Sequence, residues 1–216
     1  MIEISNDDLA AEKALAKAIA NDGIIPSIRD ANLTRNADNI VRRLIKLQEE
    51  LGEHAEAYLN VTSAGNGKGK TWNDVREESA DLLIVAVDVA LTPILSYDTI
   101  ESVEKAMRQA LKGFTISQRS QFERQLTSTF ADYPALTLKV GALVGELGLK
   151  HTANGGFRVL ANQLVGTAFM LALTPLPDQA DWTVADLEDQ LREIIAGKLA
   201  KWRNNRDTGK AATDAE

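Results

Sequence analysis

Trp72-Asn73-Asp74-Val75-Arg76-Glu77-Glu78-Ser79-Ala80-Asp81-Leu82-Leu83-Ile84-Val85-Ala86-Val87-Asp88-Val89-Ala90-Leu91 is the stretch on which the fold turns. Wound as a helix, Leu82–Leu91 is apolar on every side except at Asp88. A helix that is apolar all round is a buried helix. Thr71-Trp72-Asn73-Asp74 has the form of a capping box that opens it, and Pro93 stops it just past Leu91. The β-branched run Ile84-Val85-Ala86-Val87 lies inside this helical context, and no stretch of the chain sustains strand alternation. The spacing predicts a buried helix in an all-α protein. Asp74, Glu78, Asp81 and Asp88 cluster on one side of that helix, and a buried carboxylate without a partner is strongly unfavourable. Arg42, Arg43 and Lys46 from a neighbouring helix, or metal ions, are the candidate partners.

Upstream, Ile40, Leu44, Leu47, Leu51, Ala55 and Tyr58 recur every three or four residues and predict a helix over about 37–60. It carries Glu49-Glu50-Leu51-Gly52-Glu53. Glu50 falls at the edge of the apolar stripe and Glu53 nearly opposite it, so on this helix alone a solvated acidic face explains the acids equally well. Glu50/Glu53 and Glu78/Asp81 each sit three residues apart, one helical turn. Two such helices facing each other gather four carboxylates, and that cluster is stable only if hydrated or filled by a cation. Hard oxygen donors of this kind suit Mg²⁺ or Mn²⁺ and, through them, phosphate chemistry. Further helices are expected over 6–22, capped by Ser5, and over 98–113.

The pattern recurs. Ala90-Leu91-Thr92-Pro93-Ile94 is echoed by Ala172-Leu173-Thr174-Pro175-Leu176, Glu50-Leu51-Gly52 by Glu146-Leu147-Gly148, and Leu111-Lys112-Gly113 by Ile195-Ala196-Gly197. The shared order of these anchors predicts a duplication, with units over 1–114 and 115–206 and a disordered tail over 207–216. In that register Glu53 corresponds to Leu149, Glu78 to Leu160, Asp81 to Gln163 and Asp88 to Met170. Only the first unit then has the acids to hold metal, and the second is its packing partner.

The 216 residues carry a formal net charge of −7, which argues against a nonspecific nucleic-acid binder. There is no cysteine, and His54 and His151 are the only histidines, so thiolate and histidine-rich metal sites are excluded. The acidic start (Glu3, Asp7, Asp8) is unlike a signal peptide, and Leu82–Leu91 is too short to span a bilayer. The expected compartment is the cytoplasm, with no membrane partner.

Leu47-Gln48-Glu49-Glu50-Leu51-Gly52-Glu53 followed by Glu78-Ser79-Ala80-Asp81-Leu82-Leu83 resembles the MazG-like family of all-α nucleoside triphosphate pyrophosphohydrolases, of which dimeric dUTPases are distant relatives. The resemblance covers about 40–113, with the second half similar to a degenerate copy fused into a pseudo-dimer. It implies tandem four-helix units and Mg²⁺- or Mn²⁺-dependent hydrolysis between the α- and β-phosphates, giving a monophosphate and pyrophosphate. By match, Glu50, Glu53, Glu78 and Asp81 would ligate the metal, and Glu49 would hold a second ion or orient the attacking water. The family's phosphate-gripping Lys and Asn are matched in part by Lys112, which lacks the Asn, and by Lys198, Lys201 and Asn205 of the second half. A cation-rich helix C-terminus favoured by the helix dipole explains the latter group equally well. Lys46, Lys70 and Asp88 are further candidates for the substrate pocket. Trp72 is a candidate for stacking on the base, with a core anchor the commoner role for such a residue. The resemblance favours a deoxynucleotide, and a fused pseudo-dimer can pair again as a homodimer.

Ala64-Gly65-Asn66-Gly67-Lys68-Gly69-Lys70-Thr71 fits a loose phosphate-binding loop, but such a loop follows a buried strand and opens a helix. Here it follows a long amphipathic helix, so the P-loop reading lacks its context. Lys68 and Lys70 can still reach phosphates from a surface loop. The non-enzymatic alternative is a helical interaction module with salt-bridged acids.

Overall fold

The computed structural model describes residues 28, 40–63, 68–91, 105, 132–150, 156–179 and 181–207, with the side chains at 132, 184 and 203–207 left out. The described residues form five α-helices: α1 (Ile40–Thr62), α2 (Trp72–Ala90), α3 (Asp132–Lys150), α4 (Gly156–Ala172) and α5 (Val184–Asp207). A short 3₁₀ turn, Pro177–Gln179, precedes α5. Among the described residues there is no strand, so the fold is all-α. The helices expected over 6–22 and 98–113 and the tail past Asp207 lie outside the described residues, apart from Lys105, which is helical and exposed.

Helix α2 begins where the sequence places it. Thr71 is extended (φ −118°, ψ 170°) and its side chain accepts from the Asp74 amide, while the Asp74 carboxylate accepts from the Thr71 amide at 2.7 Å. This reciprocal box satisfies donors that a helix start otherwise leaves open. Gly69, at φ 62°, supplies the left-handed residue that turns the chain into the cap. Thr183 and Asp186 repeat the same box at the start of α5.

Leu82, Leu83, Ile84, Val85, Ala86 and Val87 are all buried, as the all-round apolar pattern requires. Helix α4 is alike, with Leu164–Phe169 buried without interruption. These two central helices pack on each other, α1 packs on α2, α3 on α4, and α1 on α3. The four helices close a ring around one core, two drawn from each half of the sequence. Helices α1 and α2 run antiparallel: Arg43 near the start of α1 meets Asp88 near the end of α2, and Lys68, just before α2, meets Glu56 late in α1. Helix α5 lies against α2. Both α2 and α4 end at the Ala-Leu-Thr-Pro motif, at Ala90 and Ala172. Among the described residues no helix is long and apolar enough to cross a membrane.

Candidate metal centre

Glu50 on α1 and Glu78 and Asp81 on α2 each place a carboxylate oxygen within 4.8 Å of the other two. The antiparallel pairing of α1 and α2 makes this possible. Glu78 and Asp81 share one side of α2 by their three-residue spacing, and Glu50 lies on the flank of α1 that faces them. Glu50 is only 3% exposed. Its Oε1 pairs with Lys46 Nζ at 2.8 Å, but its Oε2 is buried without a hydrogen-bond partner. A buried carboxylate oxygen left unsatisfied is costly unless a cation or donor meets it. Mg²⁺ takes hard oxygen donors of this kind, so Glu50, Glu78 and Asp81 are the residues that would hold such an ion.

Burial and mutual repulsion tune the acids. Desolvation, then the Asp81 charge, raises the Glu78 pKa above the ordinary carboxylate value. Asp81 is also raised by burial, against the pull of Lys198. Glu53 is raised by burial and by the neighbouring Glu50 carboxylate. Such a cluster resists full ionisation until positive charge is supplied. Burial pulls the Lys46 ammonium down, but its hydrogen bonds to Glu50 and Glu49 outweigh this and the group ends above its usual value.

The structure sorts the remaining sequence candidates. Glu53 is exposed and stands beside the triad rather than in it, close enough for its charge to act on Glu78 and Asp81. Glu49 points outward and pairs with Lys46 at 3.0 Å. Asp88 lies two turns beyond Asp81, where Arg43 donates to its side chain at 2.7 Å and to its backbone carbonyl at 2.8 Å. This is the arginine partner foreseen for one of the buried acids. Lys70 lies 3.9 Å from Glu78 and 3.6 Å from Asp74. Lys198, from α5, pairs with Asp81 and lies 3.8 Å from Glu77, so a cation from the second half does reach the first half's acids. Lys201 is exposed, the Asn205 side chain is not among those described, and Lys112 lies outside the described residues. Trp72 packs against the core and tilts against Tyr58 at 6.5 Å, the arrangement of an anchor. The loop before Thr71 joins two α-helices, so the strand that a phosphate-binding loop needs does not precede it.

One buried polar group went unread in the sequence. His54 is fully buried on α1, one turn past Glu50. Its Nε2 lies 2.7 Å from the Tyr133 hydroxyl, which lies 2.9 Å from Ser79 Oγ. Ser79 donates its one hydrogen to the Val75 carbonyl at 2.7 Å. Tyr133 therefore donates to Ser79 and accepts from His54, which fixes His54 as the neutral Nε2–H tautomer. Its Nδ1 has no partner, and burial lowers its pKa to about 4. The signal was present: His54 follows Leu47 by seven residues, on the buried face of α1. Tyr133, stacked on Tyr58 at 5.3 Å, ties α3 to the two helices that carry the triad.

Comparison of the chain with protein-family models, with curated proteins and with solved structures finds no match.

Proposed function

We propose that the protein is a divalent-metal-dependent (deoxy)nucleoside triphosphate pyrophosphohydrolase that cleaves between the α- and β-phosphates. The observation that carries this reading is the Glu50/Glu78/Asp81 triad, in which the Glu50 Oε2 is buried without a hydrogen-bond partner. The donor set is all carboxylate oxygen, which fits Mg²⁺ or Mn²⁺. Glu50, Glu78 and Asp81 would hold the ion, with Glu53 beside them. A bound cation supplies charge neutralisation to the triphosphate and activates water at neutral pH. Lys46, Lys70 and Lys198 converge on the same carboxylates and can bind phosphate oxygens. Support for the specific reaction comes from the resemblance of Leu47–Glu53 and Glu78–Leu83 to the MazG-like pattern. The same resemblance supports a tandem architecture and a homodimer as proposals, and the acidic start of the chain supports a cytoplasmic location as a proposal.

A second reading is favoured by the lysines themselves. Each triad acid has one nearby, as a non-catalytic helical interaction module with salt-bridged acids requires. Product analysis separates the two. The protein is incubated with the eight common NTPs and dNTPs and Mg²⁺ or Mn²⁺, beside Asp81→Asn. Monophosphate plus pyrophosphate, lost in the variant, supports the hydrolase and identifies the base. Diphosphate plus orthophosphate refutes α–β cleavage. No turnover, together with no thermal stabilisation by either metal, favours the interaction module.

A further inference from the structure

Three lysines meet the three triad acids, and each is shared with a second acid outside the triad. Lys46 lies 2.8 Å from Glu50 and 3.0 Å from Glu49. Lys70 lies 3.9 Å from Glu78 and 3.6 Å from Asp74. Lys198 pairs with Asp81 and lies 3.8 Å from Glu77. The two sets of acids differ in burial. The triad side chains are 4–20% exposed and the outer ones 36–53%. The lysines come from three separate segments, α1, the loop before α2, and α5. One outer acid is itself anchored: Asp74 Oδ2 is committed to the Thr71 cap, which leaves Oδ1 toward Lys70.

Ammonium groups this close to the triad oppose the entry of a divalent cation by direct repulsion. Their outer acids offer each of them a partner a short swing away. A triphosphate, once present, offers more negative charge than either acid. Resting on the metal-dependent reading above, we propose that Lys46, Lys70 and Lys198 form a displaceable collar. They neutralise Glu50, Glu78 and Asp81 until a divalent cation takes those carboxylates. Glu49, Asp74 and Glu77 then hold them at the rim, where they meet the phosphate oxygens of the nucleotide. The collar makes the lysines competitors of the metal and partners of the substrate, so removing one acts with opposite sign on the two ligands.

Calorimetric titration of the full chain tests that sign. Replacing Lys198 by Met (Lys198→Met) is expected to tighten Mn²⁺ binding on the order of tenfold, the effect of removing one charge about 5 Å from a divalent ion in a well-solvated site. Under saturating Mn²⁺, the same variant is expected to bind an α,β-methylene nucleoside triphosphate on the order of tenfold more weakly. Lys198→Arg, which keeps the charge, stays near wild type for Mn²⁺. Lys46→Met repeats the test on another helix if Lys198→Met does not fold. Unchanged or weaker Mn²⁺ binding in a folded Lys→Met variant overturns the collar while leaving the metal centre standing. Absence of Mn²⁺ binding in the wild type overturns both. Tighter Mn²⁺ binding with unchanged nucleotide affinity overturns the transfer to phosphate.

Discussion

Acidification from pH 7 to pH 4 is expected to remove about 3 kcal/mol of stability through His54 alone. The unfolded chain protonates this imidazole near its ordinary pKa of 6.5, whereas in the folded protein burial holds it at about 4. Between those values the unfolded state binds more protons than the folded one, so stability falls as pH falls. The contribution is fully present above pH 6.5 and is lost progressively down to about 4, at about 1.4 kcal/mol per pKa unit. The cause is specific: Nε2 already donates to Tyr133, and a proton added at the unpartnered Nδ1 would be a buried charge with no acceptor. Glu53, Glu78 and Asp81, whose pKa values are raised, work in the opposite direction. They destabilise the fold once ionised and relieve it on acidification. The assay is therefore a difference, with urea unfolding of wild type and His54→Gln at half-unit steps from pH 7 to pH 4. The glutamine amide can still donate to Tyr133 but does not titrate. The gap between the two proteins should close by about 3 kcal/mol across the window. Parallel curves would refute the reasoning.

Three further outcomes are expected. Mn²⁺ should raise the melting temperature of the wild type and Asp81→Asn should abolish that rise, because it removes one carboxylate of the proposed metal site, and thermal melts with and without the ion check this. Leu83→Ala, at a fully buried position of α2, should cost roughly 2–5 kcal/mol in urea unfolding, the range for opening a cavity in a packed core. Arg43→Met should leave the partly buried Asp88 without its guanidinium and cost about 2 kcal/mol at neutral pH. Urea unfolding of the two proteins at neutral pH checks this.

Much of the fold was legible because its signals are local. The all-round apolar run Leu82–Leu91 and the Thr71–Asp74 box depend on residues within a turn or two of one another, and both appear where the spacing puts them. The same holds for the acids of α2, whose three-residue spacing alone places Glu78 and Asp81 on one side. Helix α1 was harder. Its stripe is real at Ile40, Leu44 and Leu47, but Leu51, Ala55 and Tyr58 are only partly buried, while Glu50, His54 and Ala57 are buried. Periodicity finds the axis of a face; the neighbours decide how far it is covered.

What the sequence determined by itself was the class of the protein and its stock of chemistry. It is an all-helical chain without thiols and nearly without imidazole, with acids at one-turn spacing on two predicted helices. Tertiary structure decided which of those acids meet. Glu50 turns inward to join Glu78 and Asp81, Glu53 stays at the margin, and Asp88 is held by Arg43 instead. It also decided that Lys198 reaches Asp81, and that Tyr133 closes the hydrogen-bond chain to His54 and Ser79. The physical reason is range. Capping and amphipathicity act within a few residues, whereas burial of a charge and its partner depends on the angle and register at which helices distant in sequence pack together.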